Sequence, residues 1–252
     1  MNTIIRTVSR RIDKAIFGYG LIQPGDRVLV GLSGGKDSVT LAHQLALKAR
    51  AFSIPFEVAA VHIRTEYADL EGIDRLRELA SSVNLPFEQI EISVTDRLKP
   101  GRRMNCYWCS TQRRTELLRY AQANGFSRIA LGHHMDDILE TFLMNLTQKA
   151  EISTMLPVLR YDRYPQWVIR PLAWVTEPET EAYAREIGFE AVRCRCGFDT
   201  TSRRKSVRRA LEAIIAVEGE PARLRMMKAL HNVQMRYMPS FVERDGGTDQ
   251  AD

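Results

Sequence analysis

A glycine-rich turn between an apolar strand and a helix is the feature that most restricts how this chain can fold. Residues 27–32 (RVLVGL) predict a buried strand, residues 38–50 predict a helix, and the turn between them reads SGGKDS over residues 33–38. Glycines let successive backbone N–H groups converge, and the N-terminus of the following helix adds positive potential. The spacing matches neither a Walker A loop nor a G-x-G-x-x-G dinucleotide fingerprint. An ordinary turn is the alternative, but the Lys, Asp and Ser in it favour an anion-binding loop.

Strand and helix patterns alternate through the first half of the chain. The predicted strands are 27–32, 56–63, 87–92 and 128–132, and the predicted helices between them are 38–50, 67–83 and 111–123. Such alternation predicts an α/β fold in which helices cover both faces of a parallel sheet. After about residue 175 the pattern is helical only, over 177–187, 202–216 and 221–237. We therefore predict one domain over residues 1–241 with a helical C-terminal part.

The charge of the chain is unevenly distributed. The 252 residues include 44% hydrophobic and 27% charged residues, which excludes a disordered chain and a small disulfide scaffold. The net charge is +5, but the last eleven residues, 242–252, carry −3, so the rest of the chain carries +8. We predict that this acidic tail is disordered and that the basic body binds nucleic acid or another polyanion.

Neither a membrane span nor a secretory signal is predicted. No apolar run approaches the ~18 residues that cross a bilayer. The Arg-rich segment 1–20 has a helical period but no apolar core and no cleavage site. A mitochondrial transit peptide is the alternative reading of this segment. We expect a cytoplasmic protein without a membrane partner, in which cysteines are reduced or bind metal.

The chemistry of the 33–38 turn follows from its side chains. Lys36 offers a positive charge to phosphate and Asp37 a carboxylate ligand for Mg²⁺, so these two are the candidate catalytic residues. The hydroxyls of Ser33 and Ser38 can bind phosphate oxygens, and Gly34 and Gly35 shape the backbone.

A second polar segment follows the strand 128–132. It reads GHHMDD over residues 132–137 and continues to Glu140 and Thr141. Loops at the carboxyl ends of parallel strands are where α/β sheets bind ligands. The alternative is a polar helix start in which Asp136 and Asp137 complement the helix dipole.

The four cysteines form two close pairs. Cys106 and Cys109 stand in C-Y-W-C, and Cys194 and Cys196 stand in C-R-C. Two such pairs in a reducing compartment indicate a shared metal site. Spacing alone fits both a four-thiolate zinc site and an iron–sulfur cluster.

Basic residues concentrate around both cysteine pairs. Residues 97–114 carry six Arg or Lys and no acid, and residues 193–209 carry seven against one acid. Such charge neutralises phosphates, and the neighbouring Tyr107 and Trp108 could stack a splayed base. Solvated helix faces and core aromatics are the alternative. The candidate RNA-binding residues are Arg102, Arg103, Trp108, Arg113, Arg114, Arg203, Arg204 and Arg208.

The SGGKDS segment resembles the signature of the PP-loop (N-type) ATP pyrophosphatases. The resemblance implies that this chain has the fold of these enzymes and binds ATP and Mg²⁺. It also implies that residues 33–38 hold the leaving pyrophosphate. It further implies that the ends of the second and fourth strands lie beside the nucleotide. The residues so placed are His62, Ile63, Leu131 and Gly132, with Asp136 or Asp137 near the magnesium.

The order of motifs is similar to that of the tRNA 2-thiocytidine synthetase family, over roughly residues 10–235. The matching segments are Ser33–Ser38, Cys106–Arg114, Ala130–Thr141, Ile169–Ala173 and Cys194–Gly197. The resemblance implies a [4Fe-4S] cluster held by three cysteines. Cys106 and Cys109 match directly. The family's late pair is C-x-x-C, whereas this chain has C-x-C, so Cys194 is the favoured third ligand and Cys196 the alternative.

The function implied by this resemblance is ATP-dependent thiolation of tRNA. ATP would adenylate the oxygen at C2 of an anticodon-loop cytidine, and sulfur would then replace it to give 2-thiocytidine. The implied partners are tRNA and a sulfur donor, either a cysteine desulfurase or inorganic sulfide, with a homodimer as an option. The alternatives are a ligase similar to tRNA lysidine synthetase, another PP-loop adenylating enzyme on RNA, and a zinc-stabilised RNA-binding module without catalytic activity.

Overall fold

The computed structural model describes residues 3–68, 70–192 and 203–239, which form a six-stranded sheet with helices on both faces. The sheet order is β3-β2-β1-β4-β6-β5, and every neighbouring pair is parallel except β5 and β6. The strands are β1 (Arg27–Gly31), β2 (Glu57–Arg64), β3 (Phe87–Glu91), β4 (Arg128–Ala130), β5 (Val158–Arg160) and β6 (Trp167–Ile169). The predicted α/β class and parallel sheet are confirmed.

Eight α-helices surround this sheet in the described part of the chain. They are α1 (Thr3–Tyr19), α2 (Lys36–Ala51), α3 (Leu70–Ser82), α4 (Cys106–Ala123), α5 (Met135–Gln148), α6 (Glu177–Glu186), α7 (Arg203–Glu218) and α8 (Pro221–Ala229). A short 3₁₀ turn, Met235–Tyr237, follows them. None of the described helices is long and apolar enough to cross a membrane. The predicted acidic tail, 242–252, lies outside the described residues.

Three local predictions differ from the structure. The helix predicted from residue 111 begins five residues earlier, at Cys106, because the Asn105 side chain accepts a hydrogen bond from the Trp108 N–H at 2.8 Å and caps it. The helix predicted over 221–237 ends at Ala229. Strands β5 and β6 were not predicted, because three residues are too few to show an alternating pattern.

Side-chain alternation along the central strand divides the core in two. In β1, Val28 and Val30 pack with α1 and α2, whereas Leu29 packs on the opposite face with Leu117 and Leu118 of α4. All three β1 residues are fully buried. The strand is therefore covered on both sides, as parallel strands are.

The chain adds β2 and β3 on one side of β1 and the later strands on the other side, so the strand order reverses at β1. This strand pairs with β2 on one side and with β4 on the other, and the chain passes from β1 through β2 and β3 before it returns to β4. A crevice opens at the carboxyl ends of the strands where such a reversal occurs. Both polar segments singled out in the sequence begin at this crevice.

Candidate active site

A cavity of about 330 Å³ lies at the carboxyl ends of β1, β2 and β4. We call it the cleft. Its floor is formed by residues that end the strands, including Gly31, Val61 and Leu131. One wall is the 33–38 loop and the opposite wall is α4. The two polar segments singled out in the sequence thus meet α4, the helix that carries Cys106 and Cys109, at one cavity.

The 33–38 loop is held in shape by its own hydroxyls. Ser33 Oγ lies 3.0 Å from Ser38 Oγ, and Ser38 Oγ donates to the Gly35 carbonyl at 2.9 Å. Of the six predicted residues, Ser33, Asp37 and Ser38 line the cleft, whereas Gly34 and Gly35 make the turn. Gly34 has φ +90°, a left-handed conformation that glycine adopts without strain.

Gly34 also approaches the chain just before the second cysteine pair. A Cβ on Gly34 would lie 2.8 Å from the Val192 Cβ, and the Val192 N–H donates to the Gly34 carbonyl at 2.9 Å. Glycine is therefore required by a close contact as well as by its φ. Residues 193–202, with Cys194 and Cys196, lie outside the described residues.

Lys36 is turned toward two carboxylates. Its Nζ lies 3.0 Å from Glu177 Oε1 and 3.3 Å from Asp37. Burial alone would lower the pKa of Lys36, but Asp37 and Glu177 together raise it above the ordinary value. Lys36 does not line the cleft. Its positive charge instead lies behind Asp37, which does.

The loop after β4 packs directly against the start of α2. A Cβ on Gly132 would lie 2.8 Å from the Ser38 backbone N and 3.0 Å from the Asp37 carbonyl carbon. Real Cβ atoms do not come this close to backbone atoms, so only glycine lets the two loops touch. The 132–137 segment is thereby fixed against the 33–38 loop.

The two adjacent aspartates of α5 have different surroundings. Asp136 is 2% exposed, lies 2.6 Å from the Arg223 Nε and accepts the Glu177 N–H at 2.7 Å. Asp137 lines the cleft. Successive residues of a helix point about 100° apart, so only one of the pair can face the cavity. Asp136 was predicted to bind the nucleotide, but the structure places Asp137 at the cleft in its stead.

His134 lies between the two carboxylates of the cleft. Its Nδ1 is 3.6 Å from Asp137 Oδ2, and its Nε2 is 3.9 Å from Asp37 Oδ1. Burial would raise the pKa of Asp137, but His134 and Arg204 lower it below the ordinary value. Both aspartates thus line one cavity on either side of one imidazole.

The residues predicted at the ends of β2 and β4 are divided by strand alternation. Ile63, Leu131 and Gly132 line the cleft. His62 does not, since its Nδ1 lies 2.7 Å from the Leu32 carbonyl oxygen and the residue is 5% exposed. Val61, two residues before Ile63, takes the place on the cavity wall that was predicted for His62.

One face of α4 carries both the first cysteine pair and a wall of the cleft. Cys106 and Cys109 lie in its first turn and are half-buried. Ser110, Arg113, Arg114 and Leu117 of the following turns line the cleft. Spacings of three and four residues place side chains on one side of a helix. The two cysteines therefore lie at the edge of the cleft, on the same helix face.

A complete metal site is not present among the described residues. No three His, Cys, Asp or Glu side chains gather in a metal-binding arrangement there. Cys106 and Cys109 supply two thiols at a helix N-terminus, where the helix dipole favours thiolates. They fit two ligands of a cluster whose third, Cys194 or Cys196, lies outside the described residues.

The predicted RNA-binding residues lie in different surroundings. Arg113 and Arg114 line the cleft, whereas Arg102 and Arg103 are exposed just before α4. Trp108 is half-buried, and its indole N–H donates to the Val94 carbonyl at 3.1 Å. The Arg203 side chain lies outside the described residues.

Arg204 and Arg208 of α7 form ion pairs rather than an open basic surface. Arg204 Nε and Arg208 Nε each lie 2.7 Å from one oxygen of Glu140, which is 0% exposed. Arg204 also pairs with Asp137, and Arg208 lies 3.4 Å from Glu177. The structure thus places both arginines in ion pairs with carboxylates of α5 and α6, and their binding of RNA stays a prediction.

Two residues near the cleft were not chosen from the sequence. His133 lines the cleft, and burial lowers its pKa to about 4, with Asp137 opposing the shift and Arg170 adding to it. Arg170 follows β6 and is 6% exposed, and burial lowers its pKa to about 10. The first His of GHH and the Arg of IRPLA are visible in the sequence, but the residues around them depend on the pairing of β4 with β6.

The fold and the cleft define a PP-loop protein, and a family model described as a PP-loop domain matches residues 4–214. Curated relatives indicate a more specific family within the PP-loop proteins. A tRNA-cytidine(32) 2-sulfurtransferase of Xanthomonas campestris pv. campestris is 40% identical over 213 residues, which cover 83% of this chain and 71% of the relative. One of Xanthomonas euvesicatoria pv. vesicatoria is 39% identical, over 82% of this chain and 69% of the relative. The chain belongs to this family of PP-loop tRNA sulfurtransferases.

Solved structures of low sequence identity share the fold. The U34-tRNA thiolase NcsA from Methanococcus maripaludis, solved with its [4Fe-4S] cluster, superposes with a TM-score of 0.73 at 18% identity, over 99% of this chain and 85% of the thiolase. The NH3-dependent NAD synthetase from Campylobacter jejuni superposes with a TM-score of 0.51 at 17% identity, over 96% of this chain and 100% of the synthetase.

Proposed function

We propose that this protein uses ATP to replace the C2 oxygen of a tRNA anticodon-loop cytidine by sulfur, giving 2-thiocytidine. One observation carries the proposal: a single face of α4 presents Cys106 and Cys109 and then the cleft-lining Ser110 and Arg113. A nucleotide in the cleft and a sulfur carrier on the cysteines would therefore be neighbours. The names of the relatives, tRNA-cytidine(32) 2-sulfurtransferases, support cytidine 32 as the target.

The cleft accounts for activation of the base. Backbone N–H groups and hydroxyls of the 33–38 loop would hold the leaving pyrophosphate, with the N-terminus of α2 behind it. The C2 oxygen of cytidine would attack the α-phosphorus of ATP, forming a P–O bond while the bond to pyrophosphate breaks. Arg113 and Arg114, on the wall opposite the loop, would stabilise the negative charge of the transferred phosphoryl group.

Magnesium fits the two carboxylates of the cleft. Mg²⁺ is usually held by one or two carboxylates together with substrate phosphates. Asp37 and Asp137 both line the cavity, and the Lys36 and Glu177 pair fixes Asp37 from behind. We assign Asp37 and Asp137 as the magnesium ligands and Lys36 as the residue that orients Asp37.

The first cysteine pair fits an iron–sulfur cluster, which would supply a sulfur atom on an iron that no cysteine holds. Cys106 and Cys109 would bind it, with Cys194 as third ligand and Cys196 as the alternative. When bound, the group would supply the sulfur that replaces the C2 oxygen; the C–S bond would form as the C–O bond to AMP breaks, and adenylation makes AMP a good leaving group.

The remaining assignments are wider proposals. The sulfur source is a cysteine desulfurase or inorganic sulfide, and a homodimer and a single domain over 1–241 stay predictions. Because the proposed substrate is tRNA, the proposed location is the cytoplasm.

The test is anaerobic turnover with defined components. The iron-loaded protein is incubated with tRNA, ATP, Mg²⁺ and sulfide, and nucleosides are measured by mass spectrometry together with AMP. We expect 2-thiocytidine and AMP in equal amounts. Cys106→Ala should lose iron and product while still binding ATP.

A matched arginine pair on α4 serves as the control. Arg113 lines the cleft, whereas the exposed Arg119 lies further along the helix beside Glu116. Arg113→Ala should lower AMP formation about 100-fold, the loss typical of one electrostatic contact to a transition state, and Arg119→Ala should not lower it. A colourless, zinc-containing protein that forms no AMP with tRNA would instead support the RNA-binding module.

A further inference from the structure

A second cavity lies at the N-terminal end of α4, outside the cleft. Its volume is about 320 Å³, and Leu98, Tyr107 and Trp108 supply its apolar surface. Lys99, Arg102 and Arg103 complete its lining. We call it the α4 cavity. None of its lining residues belongs to the cleft, so the mechanism proposed above leaves it without a role.

Tyr107 is the exposed aromatic of this cavity. Its side chain is 81% exposed, whereas Trp108 is half-buried and donates its indole N–H to Val94. Trp108 is thus a fixed wall, and Tyr107 presents a free ring face. An aromatic side chain exposed to this degree contributes no burial energy to the fold. Such exposure is typical of residues that contact a partner.

The backbone that carries Tyr107 is held rigidly. Its carbonyl accepts the hydroxyls of Ser110 at 2.9 Å and Thr111 at 2.8 Å. The Asn105 cap, which accepts the Trp108 N–H, fixes the start of the same turn. A rigid aromatic platform stacks a ligand at a lower entropic cost than a mobile one.

The charge around the α4 cavity is positive and available. Within the described residues, none of Lys99, Arg102 and Arg103 has a carboxylate at ion-pair distance, and all three are exposed. By contrast, Arg97 of the same basic stretch is engaged, since it lies 2.9 Å from Glu116. Three unpaired cations beside an aromatic face match a phosphodiester chain with an unstacked base.

We propose that the α4 cavity binds one unpaired nucleotide of the RNA loop, with its base stacked on Tyr107 and its phosphates near Lys99, Arg102 and Arg103. The subsite rests on the proposed function, because it serves the same tRNA loop. Tyr107 lies between Cys106 and Cys109 in the first turn of α4, within about 5 Å of both along the helix axis. A nucleotide anchored there places its neighbour in the loop at the mouth of the cleft.

The experiment measures binding of a fluorescent anticodon stem-loop RNA to the iron-loaded full-length protein. Loss of one base–aromatic stack weakens binding by roughly 5- to 150-fold. We expect Tyr107→Ala to weaken binding about 10-fold, and Tyr107→Phe to retain affinity within about twofold. The matched control is Tyr237→Ala, because Tyr237 is 75% exposed and lies outside the α4 cavity.

Two further readouts separate stacking from general charge. Replacing Arg102 and Arg103 by Gln should reduce the slope of log affinity against log salt by about 0.7 for each lost phosphate contact. A fully paired RNA duplex should compete at least about 10-fold more weakly than the stem-loop, because its bases are already stacked. In turnover, Tyr107→Ala should raise the KM for tRNA and leave the KM for ATP unchanged.

The outcomes distinguish this subsite from the proposed function. Unchanged RNA affinity in Tyr107→Ala, with a wild-type protein that forms 2-thiocytidine, would overturn the subsite alone. Tyr107-dependent binding of the stem-loop by a wild-type protein that forms no thiolated product supports the subsite and rejects the proposed reaction.

Discussion

The two ends of the sheet treat charged residues in opposite ways. At the amino end, Asp26 accepts hydrogen bonds from the Gln23 N–H at 2.7 Å, Ser127 Oγ at 2.7 Å and Arg128 Nε at 2.8 Å. We call these four residues the Asp26 cluster. At the carboxyl end, within the described chain, His133 Nδ1 and Arg170 Nε are buried without a hydrogen-bond partner.

This difference separates a structural end from a functional one. The Asp26 cluster is closed, because each charge is neutralised by another group of the same protein. At and near the cleft, His133 Nδ1 and Arg170 Nε have no partner within the described chain, although Arg170 Nη1 donates to the Leu156 carbonyl, and buried polar atoms without a partner cost folding energy. A ligand with phosphates would supply the missing partners. The following predictions test this contrast, from the largest expected effect to the smallest.

The strongest test compares two glycines, one at each end of the sheet. Gly132→Ala forces a Cβ to within 2.8 Å of the Ser38 backbone and separates the two loops of the cleft. A displacement of about 1 Å in an active site costs about 100-fold in rate, so AMP formation with tRNA should fall by at least that factor.

Its partner is Gly25→Ala at the amino end. Gly25 has φ +81° with open space around its Cβ position, so alanine should cost about 1 kcal/mol of stability and leave the rate unchanged. AMP formation and stability to urea are measured for both variants. An equal loss of AMP formation in the two would contradict the division between a structural and a functional end of the sheet.

Asp26→Asn tests the closed cluster. The amide oxygen can still accept from the Gln23 N–H, but the amide NH2 cannot accept from Ser127 Oγ, and Arg128, whose side chain is 12% exposed, loses its counter-charge. We expect a loss of about 2 kcal/mol in the free energy of unfolding, because hydrogen bonds to charged groups contribute about 1.5–3 kcal/mol. Turnover of the folded protein should be unaffected, and a large fall in rate would be the unexpected result.

Arg170→Met tests the unsatisfied cation at the other end. Removing a buried charge that lacks a carboxylate partner should leave the free energy of unfolding unchanged or raise it by up to about 1 kcal/mol. The rate of AMP formation should fall about 10-fold, because positive potential near the triphosphate is lost. A destabilisation as large as that of Asp26→Asn would show that Arg170 is structural.

The smallest effect is the pH dependence of stability. Burial would raise the pKa of Asp26, but hydrogen bonds from Gln23, Ser127 and Arg128 lower it below the ordinary value. A lowered pKa means that the carboxylate stabilises the fold above about pH 4, and that this contribution is lost as the pH falls through the folded-state pKa. Urea denaturation of wild type should therefore show a steeper acid limb than Asp26→Asn, and the two curves should converge below about pH 3.

Much of the fold was readable from the sequence, and the reason is local. The 33–38 turn follows a five-residue apolar strand and precedes a sixteen-residue helix, so its role depends on neighbours in the chain. Four predicted strands alternate with helices along the chain, and this alternation predicted the parallel sheet. Strands β5 and β6 were missed, because β6 is fixed by its pairing with β4 and β5 by its pairing with β6, and not by their own three residues.

The predictions for the site residues divide in the same way, into those that local sequence supports and those that depend on tertiary contacts. Ser33, Asp37, Ser38, Ile63 and Gly132 line the cleft, and their position at strand ends was visible in the sequence. The contacts of other predicted residues depend on rotation about a helix or on partners from distant segments. These residues are Asp136, Trp108, Arg204 and Arg208, which pair or hydrogen-bond with other groups of the protein.

By itself the sequence determined the fold class, the family and which segments lie at the cleft, since these depend on periodicity and on motifs short enough to act locally. The tertiary structure alone decided which of two neighbouring residues faces the cleft, as with Asp136 and Asp137. It also decided which arginines are free to bind an anion. Both depend on the counter-charges that folding brings within about 3 Å, and a charge already paired in the fold has little left to offer a ligand.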